Sequence, residues 1–182
     1  MIKKVLLFGI LIICIMWSFR ISQINQNQKQ VSIYDMNESI DGEEISVTAV
    51  ESHLYEQKEF LHKFSIDEDL FETYKSPEGK VLCVCLAVKN ISNKDIEWAK
   101  IEEWTNCGFE SRTWGSTNFP VAGQYLNIYK TDKLYAGNEQ LIWYVTLVNP
   151  ICFKDKTWSS ISINDFRYTV TLIPEKIQIR LE

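Results

Sequence analysis

Apolar and polar residues alternate along most of this chain, after one unbroken apolar run at its start. Over residues 44–51, Ile45, Val47 and Ala49 alternate with Glu44, Ser46 and Thr48, the period of two expected of a strand with one face in a core. Residues 81–88 are apolar at every position, which predicts a central strand covered on both faces. Residues 141–148 form a second strongly β-prone run, led in by Ala136, Gly137 and Asn138 and closed by Asn149 and Pro150. Residues 168–172 and 176–181 alternate on either side of Pro174, as a hairpin or two consecutive strands. Turn formers at 90–93 precede 96–104, which reads as extended and aromatic-rich, and 105–137 reads as short strands and long loops. One segment departs from this pattern. Ser65 and Glu68 fit a capping box, and Leu70, Phe71 and Tyr74 share a helical face, predicting a short helical insert at 66–75. About seven short strands with one minor helix predict an all-β, antiparallel two-sheet sandwich.

The start of the chain follows different rules. Lys3 and Lys4 precede an apolar run over 5–16, which Trp17, Ser18 and Phe19 carry to Arg20. As a helix, 5–19 spans about 22 Å, against a hydrocarbon core of about 30 Å. A cleaved signal, a lipoprotein signal and an uncleaved anchor all compete here. No small-x-small pair follows the run, and Ile13 stands before Cys14 where lipidation wants a small residue. The anchor is therefore the leading expectation, lengthened by Ile2 and Ile21 with the flanking bases snorkelling to the interface. Lys3 and Lys4 then stay on the cytoplasmic side, and all three readings put the rest beyond the membrane. The expected organisation is a membrane segment at 1–22, a polar tether at 23–41 and a β-sandwich domain at 42–182.

Charge and chemistry narrow the function. Beyond residue 20 the chain carries 16 bases against 24 acids, which disfavours nucleic acid as a partner. Cys83 and Cys85 share one face of their strand about 7 Å apart, too far for a disulfide between them and without further ligands for a metal. They read as core packing. Cys107 and Cys152, in an oxidising compartment, are the candidate disulfide. No catalytic, cofactor-binding or metal-ligating set emerges: His53 reads as a polar strand residue, and Asp67, Glu68 and Asp69 lack calcium-loop spacing. The rings of Trp104, Trp114, Phe119, Tyr125 and Tyr129 concentrate in the loop-rich middle. Core and loop packing competes there with a binding platform for a protein or a cell-wall glycan.

The strand and turn at 86–93 (LAVKNISN), the LYAGN at 134–138 leading into 141–148, and the closing alternating strand carry a resemblance. With the apolar start and polar tether, the chain resembles uncharacterised exported or membrane-anchored proteins, mostly of Gram-positive bacteria, with a telokin-like, immunoglobulin-like domain. The resemblance spans residues 42–182 and implies an immunoglobulin-like sandwich with no catalytic residues to carry over. The expected function is a membrane-tethered, extracytoplasmic binding module that is not an enzyme. Surface immunity or inhibition of a secreted toxin or envelope enzyme is the alternative. A small carbohydrate-active hydrolase, which needs two facing carboxyl groups, is a third reading.

Overall fold

The computed structural model describes residues 31–67, 78–127, 132–172 and 175–182, together with Trp17. The expected membrane segment, Trp17 apart, lies outside them, as do tether residues 23–30 and most of the expected helical insert. Among the described residues no helix is long and apolar enough to cross a membrane.

The described fold is mostly β. Its strands are β1 (Val31–Tyr34), β2 (Ser39–Asp41), β3 (Ile45–Glu56), β4 (Lys80–Asn90), β5 (Ile96–Glu97), β6 (Gly108–Ser111), β7 (Gly115–Ser116), β8 (Lys133–Leu134), β9 (Glu139–Val148), β10 (Phe166–Thr171) and β11 (Lys176–Arg180). One sheet runs β1-β11-β10-β6-β7 and a second β2-β3-β4-β9, while β5 and β8 form a small separate pair. The pairings are antiparallel except for β1, which runs parallel to β11. Four short helices accompany them: α1 (Gln57–Phe64), α2 (Trp98–Thr105), α3 (Pro120–Leu126) and α4 (Asp155–Trp158).

Strand β4 explains the layering. Leu82, Val84, Leu86 and Val88 face Phe109, Phe166, Tyr168 and Val170 of the five-stranded sheet. Tyr144 stacks on Tyr168 across this core with ring centroids 5.4 Å apart. On the opposite face, Val81 and Cys83 pack with Val145 beneath Phe60 and Leu61 of α1 and Ala122 of α3. The unbroken apolar run thus serves two cores, as the pattern predicts. A bulge between Ala49 and Glu51 lets β3 follow this geometry. It leaves Val50 exposed and sets Glu51, His53 and Tyr55 opposite Cys85, Cys83 and Val81.

Three expectations are corrected. Residues 31–41 are not tether: β1 and β2 lie there, and Ile40 is buried in the core. Residues 98–105 are helical, because Trp98, Ile101 and Thr105 fall on one face and are all buried. Ser65, expected to cap the insert at 66–75, instead closes α1, while the insert from residue 68 on lies outside the described residues. Ser65 adopts a left-handed φ of 52°, and the Ile66 N–H donates to the Leu61 carbonyl at 3.0 Å, a Schellman-type stop.

Two asparagines tie loops to the framework. Asn90 is fully buried; its amide donates to the carbonyls of Lys94 (2.8 Å) and Leu134 (2.9 Å) and accepts from the Ser92 N–H (3.0 Å) and O–H (2.8 Å). Asn127 accepts from the Trp143 N–H and donates to the Trp143 carbonyl, both at 2.7 Å, while the Phe119 N–H donates to the Val145 carbonyl at 2.6 Å.

Candidate binding groove

A cavity of about 840 Å³ opens at one end of the two sheets. Three segments distant in sequence build it: the β2–β3 turn, α2, and the facing ends of β10 and β11. Its apolar lining comes from Ile45, Ile96, Ile101, Trp104, Leu172 and Ile177. Trp104 is partly buried and lies over the β2–β3 turn at Gly42. A Cβ at Gly42 would stand 3.2 Å from the indole and 3.1 Å from the Ile45 carbonyl oxygen, so a small residue here permits the close approach.

Around that lining stand the carboxylates of Asp41, Glu43, Glu44, Glu103 and Glu175, with Lys100 as the cation among the lining residues. Lys100 is already paired with Glu44. Glu175 accepts the Ser32 hydroxyl, and Asp41 accepts the Ser39 hydroxyl at 2.9 Å. The hydroxyls of Ser46 and Ser39 hold the Asp41 carboxyl below its ordinary range. Glu43 and Glu103 are exposed and have no partner among the described residues. The groove is thus an oily floor with an acidic, partly uncompensated rim.

A smaller cavity of about 380 Å³ lies between α2 and α3, over Tyr144. Beneath it runs a buried polar chain. Thr105 donates to the Ile101 carbonyl at 2.8 Å, so its oxygen accepts the Tyr144 O–H at 2.5 Å. Tyr168 donates to the Thr105 carbonyl at 2.7 Å and accepts from Asn118 at 3.2 Å. Burial pushes both phenols above the usual tyrosine range. The Asn118 side-chain oxygen is buried without a partner, a cost this corner of the fold carries.

The ring residues expected from sequence do not form one platform. Trp104 lines the groove and Phe119 the smaller cavity. Trp114 packs edge-on against Phe166 (centroids 5.6 Å apart) and at a tilt against Phe153 (6.0 Å) at the other end of the sheets. Tyr125 is exposed on α3, and Tyr129 lies outside the described residues.

Cys83 and Cys85 are buried, unbonded thiols in β4. Burial pushes both up to about 12, so they stay protonated, and Cys83 makes a long 3.7 Å contact with the His53 carbonyl. The expected Cys107–Cys152 disulfide is absent, and both thiols are free. The cause is geometric. Cys107 bonds the Leu172 backbone beyond the last residue of β10. Cys152 adjoins Phe153, which reaches Phe166 at the first residue of β10 through Trp114. A six-residue strand of about 20 Å therefore separates the two neighbourhoods. His53 sits on β3 with its Nε2 2.5 Å from a Glu51 carboxylate oxygen, and the pair is exposed. Among the described residues no group of three or more His, Cys, Asp or Glu side chains is placed to hold a metal ion.

No family model matches this chain, and no curated protein matches it. Its fold is similar to that of an uncharacterized beta-sandwich protein from Clostridium difficile 630, with TM-score 0.49 and 7% identity over 86% of this chain and 97% of that one. It is also similar to a conserved hypothetical protein from Bacillus anthracis, with TM-score 0.50 and 14% identity over 81% of this chain and 95% of that one. At this identity the Bacillus likeness shows a shared fold.

Proposed function

We propose that this chain is an extracytoplasmic binding module, held at the cell membrane by its apolar start, and that the groove beside Trp104 takes its ligand. The observation that carries the reading is the groove itself: about 840 Å³, floored by isoleucine side chains and one indole, and rimmed by carboxylates. That volume falls within the range of about 300–1,000 Å³ typical of ligand sites, which combine an apolar lining with a few polar groups. Attachment rests on the apolar run at 5–19 after Lys3 and Lys4. The immunoglobulin-like assignment rests on the two facing sheets and on the strand-turn at 86–93 that carries the resemblance.

Position-specific photocrosslinking in intact cells tests the reading. A photoreactive phenylalanine derivative that keeps an aromatic ring at position 104 is expected to capture one discrete partner that the same residue at exposed position 125 does not. Equal capture from both positions, or from neither, removes the groove as the binding face. A captured secreted toxin or envelope enzyme would make the module an inhibitor. The mass of the mature amino terminus tests the anchor.

A further inference from the structure

We infer that the occupant of the groove is a short basic-apolar peptide segment of a protein partner, in which a lysine or arginine adjoins a large aliphatic side chain. The inference rests on the reading of the groove as the ligand site. Two features of the groove, of different chemistry, point to the same partner.

The first is uncompensated charge. Five carboxylates and one ammonium line the cavity, and the ammonium is occupied by Glu44. The whole chain carries a formal net charge of only −5, so the rim gathers in one place an excess nearly as large as that of the entire molecule. Glu43 on the β2–β3 turn and Glu103 on α2 come from different walls and have no partner of their own among the described residues. Such a focused negative field repels acidic and phosphorylated partners and accelerates encounter with cationic ones.

The second is the floor. Ile45, Ile96, Ile101 and Trp104 offer apolar surface that a purely ionic ligand leaves uncovered. A polyamine would answer the carboxylates alone. A peptide alternating a cation with a leucine-sized side chain satisfies both, with the alkyl group on the isoleucines and the cation at the rim or over the indole face.

The test uses the full chain in zwitterionic detergent micelles, with micelles alone as the blank. Fluorescence anisotropy follows a labelled, end-blocked Lys-Leu-Lys tripeptide, with Glu-Leu-Glu, Lys-Ser-Lys and spermine as unlabelled competitors. Lys-Leu-Lys is expected to bind and to weaken about tenfold between 50 and 300 mM salt, since exposed charges are screened. Lys-Ser-Lys and spermine are expected to compete at least about tenfold less well, because neither covers the floor. The E43Q/E103Q double variant is expected to bind at least about fivefold more weakly. The charge-matched E59Q/D155N control, altered on α1 and α4, is expected to stay within about twofold.

Equal loss in both double variants overturns the inference, because attraction to net charge would then suffice. Competition by Glu-Leu-Glu or spermine as strong as by Lys-Leu-Lys overturns it too. Absence of tripeptide binding alongside discrete capture from position 104 overturns the basic-apolar occupant and leaves the groove reading standing. Absence of both removes the two together.

Discussion

The two ends of the sheets use their aromatic rings in opposite ways. At one end Trp114, Phe153, Trp158 and Phe166 pack in sequence, each ring pair 5.6–6.0 Å apart, and Lys80 lies 5.8 Å over the Trp158 ring. At the other end Trp104 leans over Gly42 and lines a groove with an acidic rim. Both ends draw on the same residue type, yet one consumes its rings in mutual contact and the other leaves a ring facing open volume. An aromatic-rich sequence is therefore a poor guide to binding until the partners of each ring are known. Contacts among rings stabilise; a ring beside uncompensated charge is free to recognise.

Substitutions at the two ends should differ in what they cost. Gly108→Ala has the largest expected effect, at the β6–β7 pairing next to Cys107 of the groove lining. Gly108 has φ +126°, and a Cβ there would stand 2.4 Å from the Ser116 carbonyl oxygen, so β7 and the Trp114 turn must move. A loss of about 3 kcal/mol in urea unfolding is expected. Trp114→Ala removes packing against Phe153 and Phe166 and should cost about 2–3 kcal/mol while leaving capture from the groove intact. Trp104→Ala should invert this pattern, costing about 1 kcal/mol of stability and most of the groove's affinity. Similar stability losses for both tryptophans, with binding unchanged in both, would erase the contrast.

Smaller effects sharpen it. Exposed Cys152 should alkylate first in the native state, with peptide-resolved mass spectrometry as the readout. Partly buried Cys107 should follow, and Cys83 and Cys85 should react only on unfolding. The smallest effect concerns Glu110, on the polar outer face between the two ends. Partial burial pushes its carboxyl up. Lys176 (2.6 Å), Thr169 (2.9 Å) and Gln178 (3.1 Å) outweigh that push and hold it below its ordinary value. A depressed carboxyl stabilises above the unfolded value of about 4.3 and loses that contribution as pH falls through the folded value. Thermal scans from pH 6 to 3 should therefore show a decline in the native protein that is shallower in Glu110→Gln.

The long strands were legible because a core enforces period: β4, β9 and the β10–β11 pair follow from residues 81–88, 141–148 and 168–181. The helices were less so. Phe60, Leu61 and Phe64 mark the apolar face of α1, but the stretch runs straight on from the alternation of β3. Trp98, Ile101 and Trp104 are β-prone individually and helical only by their spacing of three, which reading 96–104 as one extended run passes over. Trp104 was singled out from sequence, whereas Asp41, Glu43, Glu103 and Glu175 were not. No local pattern joins residues 41–45, 96–104 and 171–177; pairing of β3 with β4 and of β10 with β11 brings them together.

The amide of Asn127 has a consequence for how one sheet margin can be approached. Of the four margins of the two larger sheets, β1, β2 and β7 offer only four, three and two residues among the described residues. The ten-residue β9 would be the natural template for a fibril or an exchanged strand. Asn127 occupies both main-chain groups of Trp143 near the middle of that margin, and Phe119 occupies the carbonyl of Val145. One side chain thus takes up the main-chain groups of Trp143 that a foreign strand would use.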